Sequence, residues 1–187
     1  MNTNLTIISF VFIIIIGRLF SSVHRKMNKK KSAKQILLDP TAFIVSIIPI
    51  IGISLPIFEY YFVKDTINSI ISGIGVLTIL SGFIISFFAN KEIGENWSAS
   101  IDKDNSQKLV TSGIYSYVRH PLYFSGIIIF IGTIFYFQSW WSIAVLFPCF
   151  LIINWRLKYE EENLILLFGN EYKEYMRKTK KIIPFLY

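Results

Sequence analysis

Two polar stretches carry the residue types that chemistry needs. In the first, Leu109-Val110-Thr111-Ser112-Gly113-Ile114-Tyr115 leads to Arg119-His120-Pro121-Leu122-Tyr123; in the second, Arg156 precedes Glu160, Glu161 and Glu162. Pro121 suits the first turn of a helix, where its missing N–H costs nothing. The free amides of such a turn can hold an anion or a polar cofactor group. Arg156 and Glu160 stand four apart, so on a helix they share a face. A guanidinium fork suits the holding of a carboxylate substrate. Such a substrate is already a nucleophile, whereas an amine or phenol needs a proton acceptor, for which Glu161 and His120 are the candidates. The same residues also fit plainer roles. Arg119 and Tyr123 could anchor a helix start at the membrane interface, and Arg156 with Glu160 could form a weakly stabilising surface ion pair.

The elements that must position these residues are visible in the hydropathy. Of 187 residues, 53% are apolar and 17% charged, against roughly 25% charged in a soluble domain. The apolar residues gather into runs at about 5–23, 42–63, 67–89, 122–137 and 140–155, near the roughly 20 residues a helix needs to cross a bilayer. Arg18, near the end of the first run, can snorkel to the interface. The basic residues follow that run rather than precede it, which predicts a retained helix and not a signal peptide. Pro49 and Pro56 are expected to kink or break the second run. Ser69, Gly73, Ser81 and Gly82 give the third run small residues suited to close helix packing. Gln138 and Ser139 predict a tight turn that makes the last two runs an antiparallel hairpin, with Trp140 and Trp141 at the interface. Phe168-Gly169 predicts a helix break, followed by an amphipathic helix through Tyr172 and Tyr175.

The expected fold class is therefore an all-α integral membrane protein of about five spans. It divides into a three-span region over 1–89, with a basic loop at 24–34, and a loop, hairpin and helical tail over 90–187. Six Lys or Arg fall in 24–34, four in 90–119 and seven in 156–187, while Lys64 lies in a loop on the opposite side. The positive-inside rule then places the amino terminus outside and the three polar segments in the cytoplasm. The loop before span four and the tail after span five share a side, so residues near His120 and residues 156–162 should meet there. Topology accounts for the net charge of +7, and no nucleic-acid partner is expected. A single cysteine, Cys149, rules out an intrachain disulfide framework, and with two histidines no metal site is expected.

The order Asn96-Trp97-Ser98, Arg119-His120-Pro121-x-Tyr123, two short spans, Glu160-Glu161, Phe168-Gly169, Tyr172, Tyr175 and Pro184 resembles the isoprenylcysteine carboxyl methyltransferase family over about half of the chain. Its members are integral membrane enzymes that transfer a methyl group from S-adenosylmethionine to lipophilic substrates. The resemblance implies that cofactor, held by Gln107, Lys108, Leu109, Val110, Tyr115, His120, Pro121, Leu122, Tyr123 and Glu160. It points to Arg156 for meeting the substrate, while Glu161, Tyr172 and Tyr175 fit the pattern without an individual role; the expected catalytic residues are therefore Arg156 and, as a candidate proton acceptor, Glu161. Two positions depart from the eukaryotic pattern: Gly126 lies one place later, and Ser100 stands where glutamine is expected. No Gly-x-Gly-x-x-Gly loop opens a βαβ unit, since Gly73 and Gly75 lie inside a span, so the soluble methyltransferase architecture is excluded.

The methyl acceptor stays open among a carboxylate, a phospholipid amine and a lipid hydroxyl. The expected partners are a lipophilic or lipidated substrate, able to enter between helices near Ser125 and Gly126, and the membrane lipids themselves. The tail Thr179-Lys180-Lys181-Ile182-Ile183-Pro184 also resembles that of membrane sterol reductases, which use NADPH. A non-catalytic membrane scaffold would explain the spans but not the converging polar segments. The Ile-, Lys- and Asn-rich composition points to an AT-rich, bacterial genome, and so to a bacterial plasma membrane.

Overall fold

Local signals set where most of the helices start and stop in the computed structural model, which describes residues 3–23, 40–64, 66–94 and 108–187, with side chains from residue 47 in the second segment. The basic loop at 24–34, Asn96-Trp97-Ser98, Ser100 and Gln107 lie outside the described residues. Six α-helices follow in order: α1 (Thr3–Ser22), α2 (Pro40–Phe62), α3 (Ser69–Ile93), α4 (Pro121–Phe137), α5 (Trp140–Phe168) and α6 (Asn170–Lys178), with a 3-10 turn at Gly113–Ser116. Asn68 caps α3 by accepting from the backbone of Ile70 and Ile71 at 2.9 and 3.2 Å. Pro121 opens α4. Gln138, in the left-handed region at φ 54°, closes that helix, and Ser139 caps α5 by accepting from Ser142 N at 3.1 Å. Gly169, at φ 59°, ends α5 and turns the chain into α6.

Helices α1, α3 and α5 are long and apolar enough to cross a membrane, while Ile47–Phe62 of α2 and the whole of α4 are shorter apolar helices. The chain is an integral membrane protein, and its apolar exterior fits that class. Leu5, Ile8, Phe12, Ile15 and Leu19 of α1 are exposed, as are Ile70 and Leu77 of α3 and Phe147 of α5. One expectation is narrowed. Of the kink or break expected at Pro49 and Pro56, a break is excluded, since α2 continues through both; neighbouring helices hold an apolar helix together where each proline removes one internal hydrogen bond. α5 runs on past the apolar stretch to the expected break at Phe168-Gly169, carrying its acidic residues as part of the same helix.

Helices α3 and α4 form the most extensive pair. Small residues make that approach possible: a Cβ on Gly75 would stand 2.4 Å from Tyr136 N, and one on Gly82 would stand 2.6 Å from the Ile129 side chain. These two glycines are seven residues apart, two helical turns, and so lie on one face. Gly73, also expected to serve packing, faces open space, and Ser69 and Ser81 are exposed. α1 packs on α3, and α2 on both α4 and α5. One end of the bundle is filled by Phe10, Tyr60, Ile79, Phe83, Tyr136 and Phe137. There Tyr136 Oη donates to Thr6 O at 3.1 Å, and Tyr60 Oη to Thr6 Oγ1 at 3.2 Å. Along most of its length α5 makes only sparse contact with α4. The two helices joined by the tight turn leave room between them.

Candidate active site

The chain between α3 and α4 is gripped from two sides. Ser112 Oγ donates to Glu92 Oε2 at 3.1 Å, tying the 3-10 turn to the end of α3. From the other side comes the segment after α6. Arg119 N donates to Lys180 O at 2.8 Å, His120 N to Lys181 O at 3.1 Å, and Lys180 N to Tyr117 O at 3.3 Å. Tyr175 Oη donates to Tyr115 O at 2.6 Å. Burial holds the Tyr175 hydroxyl well above the ordinary tyrosine range, and that of Tyr172 likewise, where the charge of Glu161 adds to the effect. Both hydroxyls therefore stay neutral at ordinary pH.

The acidic residues of α5 meet this segment as topology predicted. Glu160 Oε2 accepts from Tyr123 Oη at 2.9 Å, and Glu160 Oε1 lies 3.8 Å from His120 Nδ1. Arg156 is buried, with Nε 4.0 Å from Glu160 Oε2 and its guanidinium 5.7 Å from the Tyr159 ring centre. Glu161 turns elsewhere. It accepts from Arg119 Nε at 2.8 Å and lies 3.3 Å from Lys181 Nζ and 3.4 Å from His120 Nε2. That last contact lacks hydrogen-bond alignment, so His120 Nε2 is buried without a hydrogen-bond partner. Arg119 also donates through Nη1 to the carbonyls of Met176, at 3.2 Å, and Thr179.

A cavity of about 1040 Å³ unites these groups. Its lining includes Lys108, Leu109, Val110, Tyr115, His120, Pro121, Leu122, Tyr123, Arg156 and Glu160, but not Glu161. The cavity continues between α4 and α5 past Ile127, Phe130, Phe147 and Cys149, and reaches Ile48 and Gly52 of α2. Gly126 lines it and is exposed, and a Cβ placed there would meet nothing within 4 Å. The space thus has a polar end near Glu160, an apolar length, and an open side at Gly126. Among the described residues no group of His, Cys, Asp or Glu side chains could hold a metal ion.

Residues 70–171, more than half of the chain, match the model of the phospholipid methyltransferase family. The chain belongs to that family. Curated relatives include the protein-S-isoprenylcysteine O-methyltransferase of Xenopus laevis, 32% identical over 123 residues, which are 62% of this chain and 41% of the relative. A probable protein-S-isoprenylcysteine O-methyltransferase of Oryza sativa subsp. indica is 30% identical over 135 residues, 68% of this chain and 64% of the relative. This member of the family thus spans between about two fifths and two thirds of the length of those relatives. A solved structure titled as the eukaryotic intramembrane Ras methyltransferase, isoprenylcysteine carboxyl methyltransferase, superposes with a TM-score of 0.60. That match covers 79% of this chain and 53% of the other at 23% identity, and it establishes a shared fold.

Several site residues had no assigned role in the sequence. Arg119 fitted a membrane anchor yet is the centre of an ion-pair cluster, and Tyr172 and Tyr175 turn out to line the cavity. The spacing of the two tyrosines, three apart on an amphipathic helix, is the signal that could have shown a shared buried face. Arg18, Ser86 and Asn90 also line the cavity, and only Arg18, a charge inside an apolar run, had a signal of its own.

Proposed function

We propose that this chain is an S-adenosylmethionine-dependent methyltransferase acting on a lipophilic acceptor at the membrane interface, most like carboxyl O-methylation of an isoprenylcysteine-type acceptor. One observation carries the reading: a single cavity is polar around His120, Tyr123 and Glu160 and apolar between α4 and α5. Group transfer requires donor and acceptor held together in one space. The residues present fit the cofactor. Glu160 supplies an acid for its amino group, Lys108 a cation for its carboxylate, and Tyr115, Tyr123 and Tyr172 supply hydroxyls and ring faces. When bound, S-adenosylmethionine supplies a methyl group on a sulfonium, already activated towards displacement. Gln107, Lys108, Leu109, Val110, Tyr115, His120, Pro121, Leu122, Tyr123 and Glu160 form its site, and Arg156 meets the acceptor. Glu161 lies between Arg119 and Lys181, which makes it a poor proton acceptor. A carboxylate acceptor needs none. The charge distribution supports an orientation with the amino terminus outside and this site on the cytoplasmic side.

The family's description favours a second reading, methylation of a phospholipid amine. There His120, buried with an unpartnered Nε2, would be the proton acceptor.

Calorimetric titration of detergent-purified protein with S-adenosylhomocysteine, and with NADPH in parallel, tests the class. Saturable binding of the former alone is expected, lost in Glu160→Ala and His120→Ala but retained in Arg156→Ala, which should lose turnover. Binding of NADPH alone would favour a reductase, and binding of neither a scaffold. Loss of cofactor binding in Arg156→Ala alone would reverse the assigned roles.

A further inference from the structure

The residues after Ile183 form a closed turn whose level in the membrane is fixed by the helices it touches. Ile182 is fully buried and packs with Ile153 and Leu157 of α5, and Tyr123, Phe124 and Ile127 of α4 pack against that cluster. Tyr187 Oη donates to Asn154 Oδ1 of α5 at 3.0 Å. α5 opens at Trp140, and Asn154 lies about 21 Å further along it at a rise of about 1.5 Å per residue. Asn154 has therefore not yet left a hydrocarbon layer of roughly 30 Å. The turn is fastened at the edge of that layer rather than out in water.

Its chemistry suits this level. Ile182 N and Ile183 N both donate to Tyr187 O at 2.7 Å, and Leu186 N and Tyr187 N donate to Ile183 O at 3.2 and 3.1 Å. Pro184 has no N–H to satisfy. Such internal pairing matters where water is scarce, because an unpaired backbone group is costly there. The side chains, in contrast, have no cover. Phe185 and Leu186 are 81% and 77% exposed, and Phe185 is held at φ 67°, a left-handed conformation that is costly for a bulky residue. Tyr117 is also exposed and brings its ring centre to 6.4 Å from that of Phe185. Trp155, next to Asn154, is exposed as well. Aromatic side chains gathered at the end of a span are the mark of a membrane interface.

We infer that Phe185, Leu186 and Tyr117 form an interfacial anchor whose partner is the acyl-chain boundary of the bilayer, and that this anchor holds the polar end of the cavity together. The link is short. Lys180 and Lys181 precede the turn and pair through their backbone with Tyr117, Arg119 and His120, and His120 lines the polar end of the cavity. Because Phe185 and Leu186 are exposed, removing them takes little packing from the protein itself. Any loosening of residues 117–120 that follows must come from what lies outside it. The anchor stands apart from the function proposed above; only its effect on cofactor affinity rests on that reading.

Spin labels at Leu186→Cys, Leu77→Cys and Glu174→Cys, each with Cys149→Ser, would be compared in phosphatidylcholine nanodiscs. Collision with oxygen, which concentrates in lipid, is set against collision with a water-soluble nickel chelate. Leu77, exposed on the spanning α3, and Glu174, exposed on α6, mark lipid and water. The label at 186 is expected to favour oxygen, towards the value at 77; the ratio found at 174 would overturn the anchor. In the same discs, Phe185→Ser combined with Leu186→Ser should speed amide exchange at Arg119 and His120 by at least about fivefold, a fraction of what burial of two large apolar side chains supplies. Exchange within α3 should not change. Phe185→Leu combined with Leu186→Met keeps the apolar surface and should restore the wild-type rate. Unchanged exchange at Arg119 and His120 would overturn the coupling, and faster exchange throughout the bundle would make the turn a structural element instead. S-adenosylhomocysteine affinity should fall by the same factor as exchange rises. Wild-type protein that does not bind S-adenosylhomocysteine would sink the methyltransferase reading, while the labels and the exchange rates still decide the anchor.

Discussion

Glu160 and Glu161 are neighbours in the chain, yet about 100° of helical rotation separates them, and that rotation divides their work. Glu160 lines the cavity and binds Tyr123, whereas Glu161 faces Arg119 and Lys181. A carboxylate held by two cations loses little by staying ionised and gains little by taking a proton. Glu161 should therefore act as a positioning residue that fastens the residues after α6 to Arg119 and His120. Glu161→Gln is expected to weaken S-adenosylhomocysteine binding by on the order of tenfold, the equivalent of one charge-assisted hydrogen bond. Amide exchange at Arg119 and His120, whose N–H groups are paired with residues 180 and 181, should accelerate in parallel. A fall in kcat with cofactor affinity and exchange unchanged would instead make Glu161 the proton acceptor.

Between elements, backbone proximity and end-capping matter more than side-chain bulk. The α3–α4 contact leaves no room for a methyl group at Gly75 and ample room at Gly73. Gly75→Ala should destabilise by about 1–3 kcal/mol through overpacking. Gly73→Ala should be neutral or stabilise by up to about 1 kcal/mol, since alanine is the better helix former. Thermal unfolding of the pair in one detergent checks both signs. At the same end of the bundle, buried Glu59 of α2 accepts from the backbone of Trp140 and Trp141 at 3.1 and 3.0 Å and from Ser139 Oγ. It thereby satisfies amides that the start of α5 leaves without partners. Loss of this cap in Glu59→Ala should cost about 1–2 kcal/mol, read as a lower unfolding temperature with S-adenosylhomocysteine affinity unchanged, because Glu59 is absent from the cavity lining.

Across the whole molecule, one end of the bundle is packed solid and the rest opens around a cavity, because α5 leans on α2 rather than on α4. The polar and apolar portions of that cavity lie at different levels along α4 and α5, so one should be blockable without the other. Gly126→Trp places a large ring at the open side near Gly126, where a Cβ meets nothing. S-adenosylhomocysteine affinity should stay within about twofold, while turnover of a farnesylated acceptor should fall by at least about tenfold, given that misplacement of the reacting groups by about 1 Å can cost a hundredfold. If both fall together, or neither does, the acceptor does not enter beside Gly126.

The sequence alone determined the local features: the apolar helices, Pro121 at the head of α4, the turn at Gln138 and Ser139, and the break at Gly169. Each depends on interactions within about four residues, which a sequence states directly. Chain order also placed the Arg119–Tyr123 segment beside Arg156 and Glu160, since two helices joined by a short turn return to the side they left. Tertiary structure decided which faces meet. These helices are apolar almost all round, so no periodicity marks the side that turns inward. Gly75 could not be told from Gly73, nor could the continuity of α2 through Pro49 and Pro56 be foreseen. Arg119 finds its partners 42 to 60 residues away, and α1 meets α3 where Gly17 admits the Phe83 ring. Such pairings depend on how whole helices dock, a choice that apolar surfaces without polar stripes leave to shape.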